Sequence, residues 1–397
     1  MDIELSDRVQ RIQPSPTLAV SALAAQLRAE GRDIVGLGAG EPDFDTPEHI
    51  KQAAIDALAR GETKYTPVDG TPGLKDAIIR KLDRDNGLSF APDQILVSCG
   101  GKQSIFNLCQ ALLNPGDEVV IPAPYWVSYP DIALLAGARP VVVSADQESG
   151  FRISAEQLQA SITSNTRLVI LNSPSNPTGA AYSAEELREL GAVLRQHPRI
   201  VIATDDMYEH IRFGSEPFVN IVNVAPDLLE RTVVLNGVSK AYAMTGWRIG
   251  YAAGPKNLIA AMKKIQSQST SNPTSIAQAA AQAALEGDQG CVVAMCSAFA
   301  ERARRVVEGL NAIDGIDCRM PDGTFYCFPR MTDLMKAAGI ETDVAFARQL
   351  LDEVGVALVP GSAFGAPGHV RISFATSIEQ LDKALERLRQ FAALHRL

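Results

Sequence analysis

The chain predicts an α/β fold: a large domain built on a mostly parallel sheet covered by helices, followed by a smaller α+β domain. Three observations predict it. Short runs such as LVILN and VVLN are apolar almost without interruption, as strands buried on both faces read. Helical stretches separate most of these runs, and strand–helix alternation is the pattern of a parallel sheet. From about residue 290 the alternation gives way to a long helical stretch and a few short strands.

In chain order, the strands expected before residue 290 are Asp33–Leu37, Ile95–Ser98, Glu118–Ile121, Pro140–Ser144, Arg167–Asn172, Ile200–Asp205, Thr232–Asn236 and Ile249–Ala253. A helix is expected to open at Thr46-Pro47, with a capping hydroxyl and proline in the first turn. Another opens at Ser183, where Glu186 completes a capping box. Two more follow Pro255 and Pro273. The second part reads as a helix over 290–310, strands near Gly323–Phe328, Val356–Val359 and His369–Phe374, and a final amphipathic helix, Ser377–His395. The expected division is an N-terminal arm with part of the small domain (1–48), the large domain (49–289) and the small C-terminal domain (290–397). Ligands of such sheets bind beyond the carboxyl ends of the strands, so residues just after strands carry most information.

Composition narrows the function. Of 397 residues, 46% are hydrophobic, enough for a sizeable core, and 21% are charged. The formal net charge is −9, and no Lys/Arg run resembles a nucleic-acid footprint, so an anionic ligand must be held by isolated cations and backbone N–H groups. None of the six cysteines forms a C-x-x-C pair, which argues against zinc and suits a reducing compartment; Cys99 and Cys109 read as small buried hydrophobes. The N-terminal residues are polar, with no apolar signal core, and no run is long enough to span a membrane. A cytoplasmic protein is therefore expected. Familiar templates fail. Gly36-Leu-Gly38-Ala-Gly40-Glu41 lacks the third glycine of a dinucleotide loop. Gly100-Gly101-Lys102 lacks the rest of a P-loop, and there is no H-E-x-x-H or G-x-S-x-G.

Lys240 follows the apolar strand TVVLNG. A lysine there loses part of its tendency to stay protonated and can act as a nucleophile or base, although a surface lysine is the commoner role. Eight residues on, Arg248 sits between Gly246 and Gly250, which suits a bidentate phosphate contact. The segment SKAYAMTGWRIGY resembles the lysine region of the class I/II (fold type I) pyridoxal-phosphate aminotransferases, and the resemblance extends over nearly the whole chain.

That resemblance implies a seven-stranded, mostly parallel sheet, the cofactor pyridoxal 5'-phosphate carried on Lys240, and a homodimer with active sites at the subunit interface. It places the Gly100-Gly101-Lys102 turn and Arg248 at the cofactor phosphate, a helix N-terminus being an anion site. By the D-x-x-Y spacing it places Asp205, rather than its neighbour Asp206, at the pyridine nitrogen, and Tyr208 with Asn176 at the ring oxygen. A cis bond is expected at Asn176–Pro177. Trp126 resembles the residue lying over the ring, and Tyr65 the tyrosine that reaches the phosphate from the partner subunit. Arg371, in the apolar strand HVRISF, resembles the clamp for the substrate α-carboxylate, which Gly40 borders. One departure is Gly237, where the family often has Ser or Thr; Ser239 is the candidate replacement.

GGKQ, PYWVSYP and KAYAMTGWRIGY resemble most the bacterial aspartate/prephenate aminotransferase subgroup. Lys102 and Thr17 then meet a distal carboxylate, and the expected reaction moves the amino group of L-aspartate to 2-oxoglutarate by ping-pong chemistry, with prephenate as a second acceptor. The alternatives are an aminotransferase for an aromatic amino acid or alanine, a β-lyase or decarboxylase on the same fold, and a ligand-sensing module without catalysis. The last fits poorly with a chain lacking any basic DNA-binding head. No metal is expected.

Overall fold

The structure is a computed structural model that describes residues 3–14 and 16–395. Strand β1 (Val35–Gly36) lies outside the main sheet. β2 (Ile95–Ser98), β3 (Glu118–Ala123), β4 (Arg139–Ser144), β5 (Thr166–Asn172), β6 (Val201–Asp205), β7 (Thr232–Gly237) and β8 (Gly250–Ala253) form one seven-stranded sheet in the order β2-β8-β7-β6-β5-β3-β4. β8 runs antiparallel to both neighbours, and all other pairings are parallel. The strand expected over 33–37 shrinks to two residues, because its partner is not the large sheet but β10 (Val356–Ala357).

The near-continuous apolar runs have a direct structural counterpart. Along β5, Leu168 and Ile170 enter one core with helices Gly101–Leu112 and Lys256–Ser267. Val169 and Leu171 enter the other, with helices Pro72–Asn86 and Ala184–Arg195. Side chains alternate faces along a strand, so a sheet covered on both sides needs apolar residues at every position.

Helix starts follow local chemistry in one case and not in another. Ser183 accepts from the Glu186 N–H, and Glu186 accepts in return from the Ser183 N–H, at 3.2 and 2.7 Å. The expected cap at Thr46 does not form. Helix Glu48–Ala59 begins after Pro47 without a side-chain cap, and the Thr46 hydroxyl donates to the Ala243 carbonyl (2.7 Å) and accepts from the Trp247 indole (2.9 Å). The hydroxyl thus ties the N-terminal segment to the turn that follows Lys240.

A separate core joins Val35 and Leu37 to helices Gly290–Asn311, Asp343–Val354 and Ile378–Leu394. Its small sheet is β11 (Val359–Pro360), β12 (Val370–Ser373) and β9 (Tyr326–Cys327), in the order β11-β12-β9. The single strand expected over 356–359 is therefore two, in different sheets, broken at Leu358. Tyr208 and Ile211, from the segment after β6, also enter this core and stitch it to the large sheet. Cys109 is buried as expected, but Cys99 is only half-buried. Among the described residues, no helix is long and apolar enough to cross a membrane.

Candidate active site

Five strands that run in one direction deliver candidate residues from the same edge of the sheet. Gly100 follows β2, Trp126 follows β3, Asn176 follows β5, Tyr208 follows β6 and Lys240 follows β7; Arg248 precedes the reversed β8. All of these but Gly100 line a cavity of about 590 Å³ that also receives Gly40, Arg371 and, from helix Pro16–Ala29, Thr17. The volume is that of a small-molecule site.

The half-buried Lys240 opens on this cavity, and its Nζ donates to the Gly40 carbonyl at 2.5 Å. Burial first, then the positive charges of Arg371 and Arg248, bring its amine down to about 8, with Glu41 and Asp205 opposing. Burial pushes the Asp205 carboxyl up. Hydrogen bonds from the Tyr129 hydroxyl (2.5 Å) and the Met207 N–H (3.3 Å) work the other way, as does Lys240. A carboxylate so placed favours a cationic N–H partner in the cavity. Asp206 faces away. It accepts from Thr204 (2.6 Å) and Asn220 (2.8 Å), is fully buried, and does not line the cavity.

At the far end, helix Gly101–Leu112 starts at the cavity wall, with Gly101 and Lys102 lining it. Gly100 does not line the cavity but is indispensable to its shape. Its φ is +89°, and a Cβ there would fall 2.3 Å from the Arg248 guanidinium. That guanidinium also donates to the Thr245 carbonyl at 2.9 Å. Helix N–H groups and a guanidinium side by side make an anion cradle. Ser239 is buried and lines the cavity.

Arg371, 2% exposed, has no carboxylate within ion-pair distance among the described residues, although a buried charge is costly without a partner. It donates instead to Asn176 Oδ1 (3.0 Å) and the Gly38 carbonyl (2.8 Å), and its Nε has no partner. Its guanidinium lies between the rings of Tyr326 and Phe364, 4.4 and 5.1 Å from their centroids. The Asn176–Pro177 bond is cis, as are Ala123–Pro124 and Ser173–Pro174. Lys102 stands 5.1 Å from the Trp126 ring centroid, and burial, aided by Arg248, lowers its amine.

Tyr65 is the outlier. It is 92% exposed and does not line this cavity. Three residues not singled out in the sequence do belong to the site. Tyr129 holds Asp205, and Asn172 joins the Asp205 carbonyl (2.9 Å) to the Asn176 N–H (2.9 Å). Tyr326 shares a hydrogen bond with Tyr208 at 3.2 Å. Asn172 was legible as the end of the strand opening N-S-P-S-N, and Tyr129 as a second aromatic one turn after Trp126. Tyr326 had no signal beyond its strand.

A pyridine ring carrying a phosphate needs an anion cradle, an acceptor for its ring N–H, donors to its ring oxygen and an amine within reach. The helix start with Arg248, Asp205, Tyr208 with Asn176, and Lys240 supply these in turn, so the residues present fit such a group. Fold and site together present, at one edge of an α/β sheet, a single cavity holding a lysine amine, a buried carboxylate and a buried arginine with an unsatisfied Nε.

The family model for aminotransferase class I and II matches residues 32–388, and the chain belongs to that family. It is similar to the aspartate/prephenate aminotransferase of Nitrosomonas europaea, 58% identical over 97% of this chain and 99% of that one. It is also similar to the aspartate aminotransferase of Geobacillus stearothermophilus, at 50% identity over 98% and 99%. The crystal structure of the aspartate aminotransferase from Rhizobium meliloti superposes with a TM-score of 0.95 at 51% identity, covering 99% of both chains. That of Thermus thermophilus with maleate superposes at 0.93 and 45%, covering 98% of this chain and all of the other. The protein is thus an aminotransferase, acting on amino and 2-oxo acids.

Proposed function

We propose that this aminotransferase carries the amino group of L-aspartate to 2-oxoglutarate, giving oxaloacetate and L-glutamate, with pyridoxal 5'-phosphate held by Lys240. The observation that carries the reading is the meeting, in one cavity, of a lysine with its amine near 8, the Asp205 carboxylate and a buried Arg371 with an unsatisfied Nε. The names of the relatives at 50–58% identity support aspartate as the substrate.

When bound, the cofactor supplies an electron sink for charge developing at the substrate Cα. The chain does the rest. Arg371 takes the α-carboxylate and fixes the Cα–H against Lys240. With its amine at about 8, roughly a tenth of Lys240 is neutral at pH 7, ready to accept the Cα proton. Asp205 holds a ring N–H charged, with Tyr129 keeping that carboxylate aimed. Tyr208 and Asn176 would donate to the ring oxygen, Trp126 would lie against the ring, and the Gly100–Lys102 turn with Arg248 and Ser239 would hold the phosphate. Lys102 and Thr17 would meet the distal carboxylate, and the name of the 58%-identical relative supports prephenate as a second acceptor. Both half-reactions use this one cavity, so the first product leaves before the second acid enters, and kinetics are ping-pong.

The reading also assigns Tyr65 to the phosphate of a partner subunit, which accounts for an exposed tyrosine outside the lining of its own chain's cavity, and makes the enzyme a homodimer. The arm and small domain (1–48 and 290–397) close on the large domain (49–289), and the compartment is the cytoplasm. Incubation of the cofactor-loaded protein with aspartate and 2-oxoglutarate should yield oxaloacetate and glutamate in equal amounts. Pyruvate or alanine as the main product would instead identify a lyase or decarboxylase.

A further inference from the structure

Tyr326 stands at the junction of two groups the reaction needs. It is fully buried on β9, yet its side chain lines the cavity. One face of its ring lies under the Arg371 guanidinium, 4.4 Å from the centroid. Its hydroxyl lies 3.2 Å from the Tyr208 hydroxyl, the two rings meeting edge to face at 73°. The opposite side of the hydroxyl borders Gly40, where a Cβ would come within 3.4 Å, and the Gly40 carbonyl accepts from Lys240.

Two hydroxyls in contact can share only one proton between them, so the direction of donation matters. If Tyr208 donated to Tyr326, its proton would be turned away from the cavity. A guanidinium over the Tyr326 ring makes Tyr326 the more acidic hydroxyl of the pair, hence the better donor. The charges facing the pair are Arg371, Glu41, Asp205 and Lys240. Burial raises the Tyr326 hydroxyl, with Arg371 and the contact with Tyr208 acting to lower it and Glu41 to raise it, while burial and Tyr326 itself push Tyr208 well above the usual range. Both stay protonated at neutral pH, so either hydroxyl can donate across the 3.2 Å contact, and the ring contact with Arg371 favours Tyr326.

We propose that Tyr326 is a positioning residue for the amino-transfer reaction: its O–H, donated to Tyr208, turns the Tyr208 proton towards the cofactor ring oxygen, and its ring holds the Arg371 guanidinium flat for the substrate carboxylate. This rests on the function proposed above. The two halves separate chemically, because phenylalanine keeps the ring and leucine keeps neither.

The test uses wild-type, Tyr326→Phe and Tyr326→Leu proteins loaded with pyridoxal phosphate. One readout is the pH midpoint of the visible absorbance change, which reports the proton on the nitrogen joining Lys240 to the cofactor. The other is the dissociation constant for succinate, a dicarboxylate that cannot react. Weaker donation to the ring oxygen leaves more negative charge beside that proton, so Tyr326→Phe should raise the midpoint by about half a unit, with succinate binding within about twofold of wild type. Tyr326→Leu should raise the midpoint equally and weaken succinate about tenfold. An unmoved midpoint in Tyr326→Phe overturns the donor role, whether or not the leucine variant folds; succinate binding unchanged in a folded Tyr326→Leu overturns the ring role. A wild-type protein that takes up no pyridoxal phosphate overturns the proposed function itself.

Discussion

Replacing Gly100 by alanine tests the anion cradle most sharply, because the structure separates its two costs. The backbone cost comes from φ +89°, ψ 160°, a region almost confined to glycine and worth about 1–3 kcal/mol for another residue. The steric cost comes from a Cβ 2.3 Å from the Arg248 Nη2 and 2.8 Å from its Cζ. Relief of that contact moves the guanidinium by about 1 Å, since carbon and nitrogen settle near 3.5 Å. A charge-assisted hydrogen bond to phosphate is then lost or stretched, at about 2 kcal/mol, or roughly thirtyfold in affinity. Gly116 supplies the control: its φ is +95°, but nothing lies within 4 Å of an added Cβ. Urea unfolding of the cofactor-free proteins should show both alanine variants destabilised by roughly 1–3 kcal/mol. Titration with pyridoxal phosphate should show about thirtyfold weaker binding for Gly100→Ala alone. Equal affinity in the two variants would refute the cradle.

Four further outcomes follow from the same structure. Lys102→Ala should raise KM for aspartate about tenfold or more, the worth of one charged contact, and leave KM for an apolar amino acid nearly unchanged; equal effects would remove Lys102 from the distal-carboxylate site. The rate at which cofactor-free protein captures pyridoxal phosphate should climb with pH up to about 8 and then level, because Lys240 reacts as the neutral amine; a climb continuing towards 10.5 would show an ordinary lysine. Since the folded-state value lies below the unfolded one, the cofactor-free protein should also gain stability as pH rises from about 8 towards 10.5. Lys81→Met strands the buried Glu209, which also accepts from Asn86 and Asn236 at 2.6 and 2.7 Å, and should cost about 3–5 kcal/mol in a denaturant titration. Much of that loss should return in the double variant with Glu209→Gln.

Local signals explain what the sequence disclosed. Most strands of the large sheet were legible because they are buried on both faces and so read as near-continuous apolar runs, as β5 shows; β4, at the sheet edge, has no fully buried residue and was legible from its run of valines. Lys240, Asp205, Asn176 and Gly100 were legible as candidates because each ends a strand or follows one within a few residues, where the sheet opens its cavity. Residues that matter through partners distant in sequence were not. Tyr326 acts on a hydroxyl 118 positions away, and although Tyr129 stands one turn after Trp126, nothing local ties it to a carboxylate 76 positions away. Thr46 carried the pattern of a helix cap, but its hydroxyl is drawn to Ala243 and Trp247, which no local rule contains. The short strands of the second sheet blurred for a related reason. Two residues on either side of Leu358 pair with different partners, and a two-residue strand has no period to read.

The central claim is that Lys240 and the residues around it run a reversible amino transfer between two dicarboxylates on one cofactor. A visible absorbance spectrum of the cofactor-loaded protein tests it most directly. Aspartate alone should bleach the visible band, and 2-oxoglutarate added afterwards should restore it, with Lys240→Ala showing no such cycle. A band that aspartate leaves untouched, or that stays bleached in the presence of 2-oxoglutarate, would contradict the account.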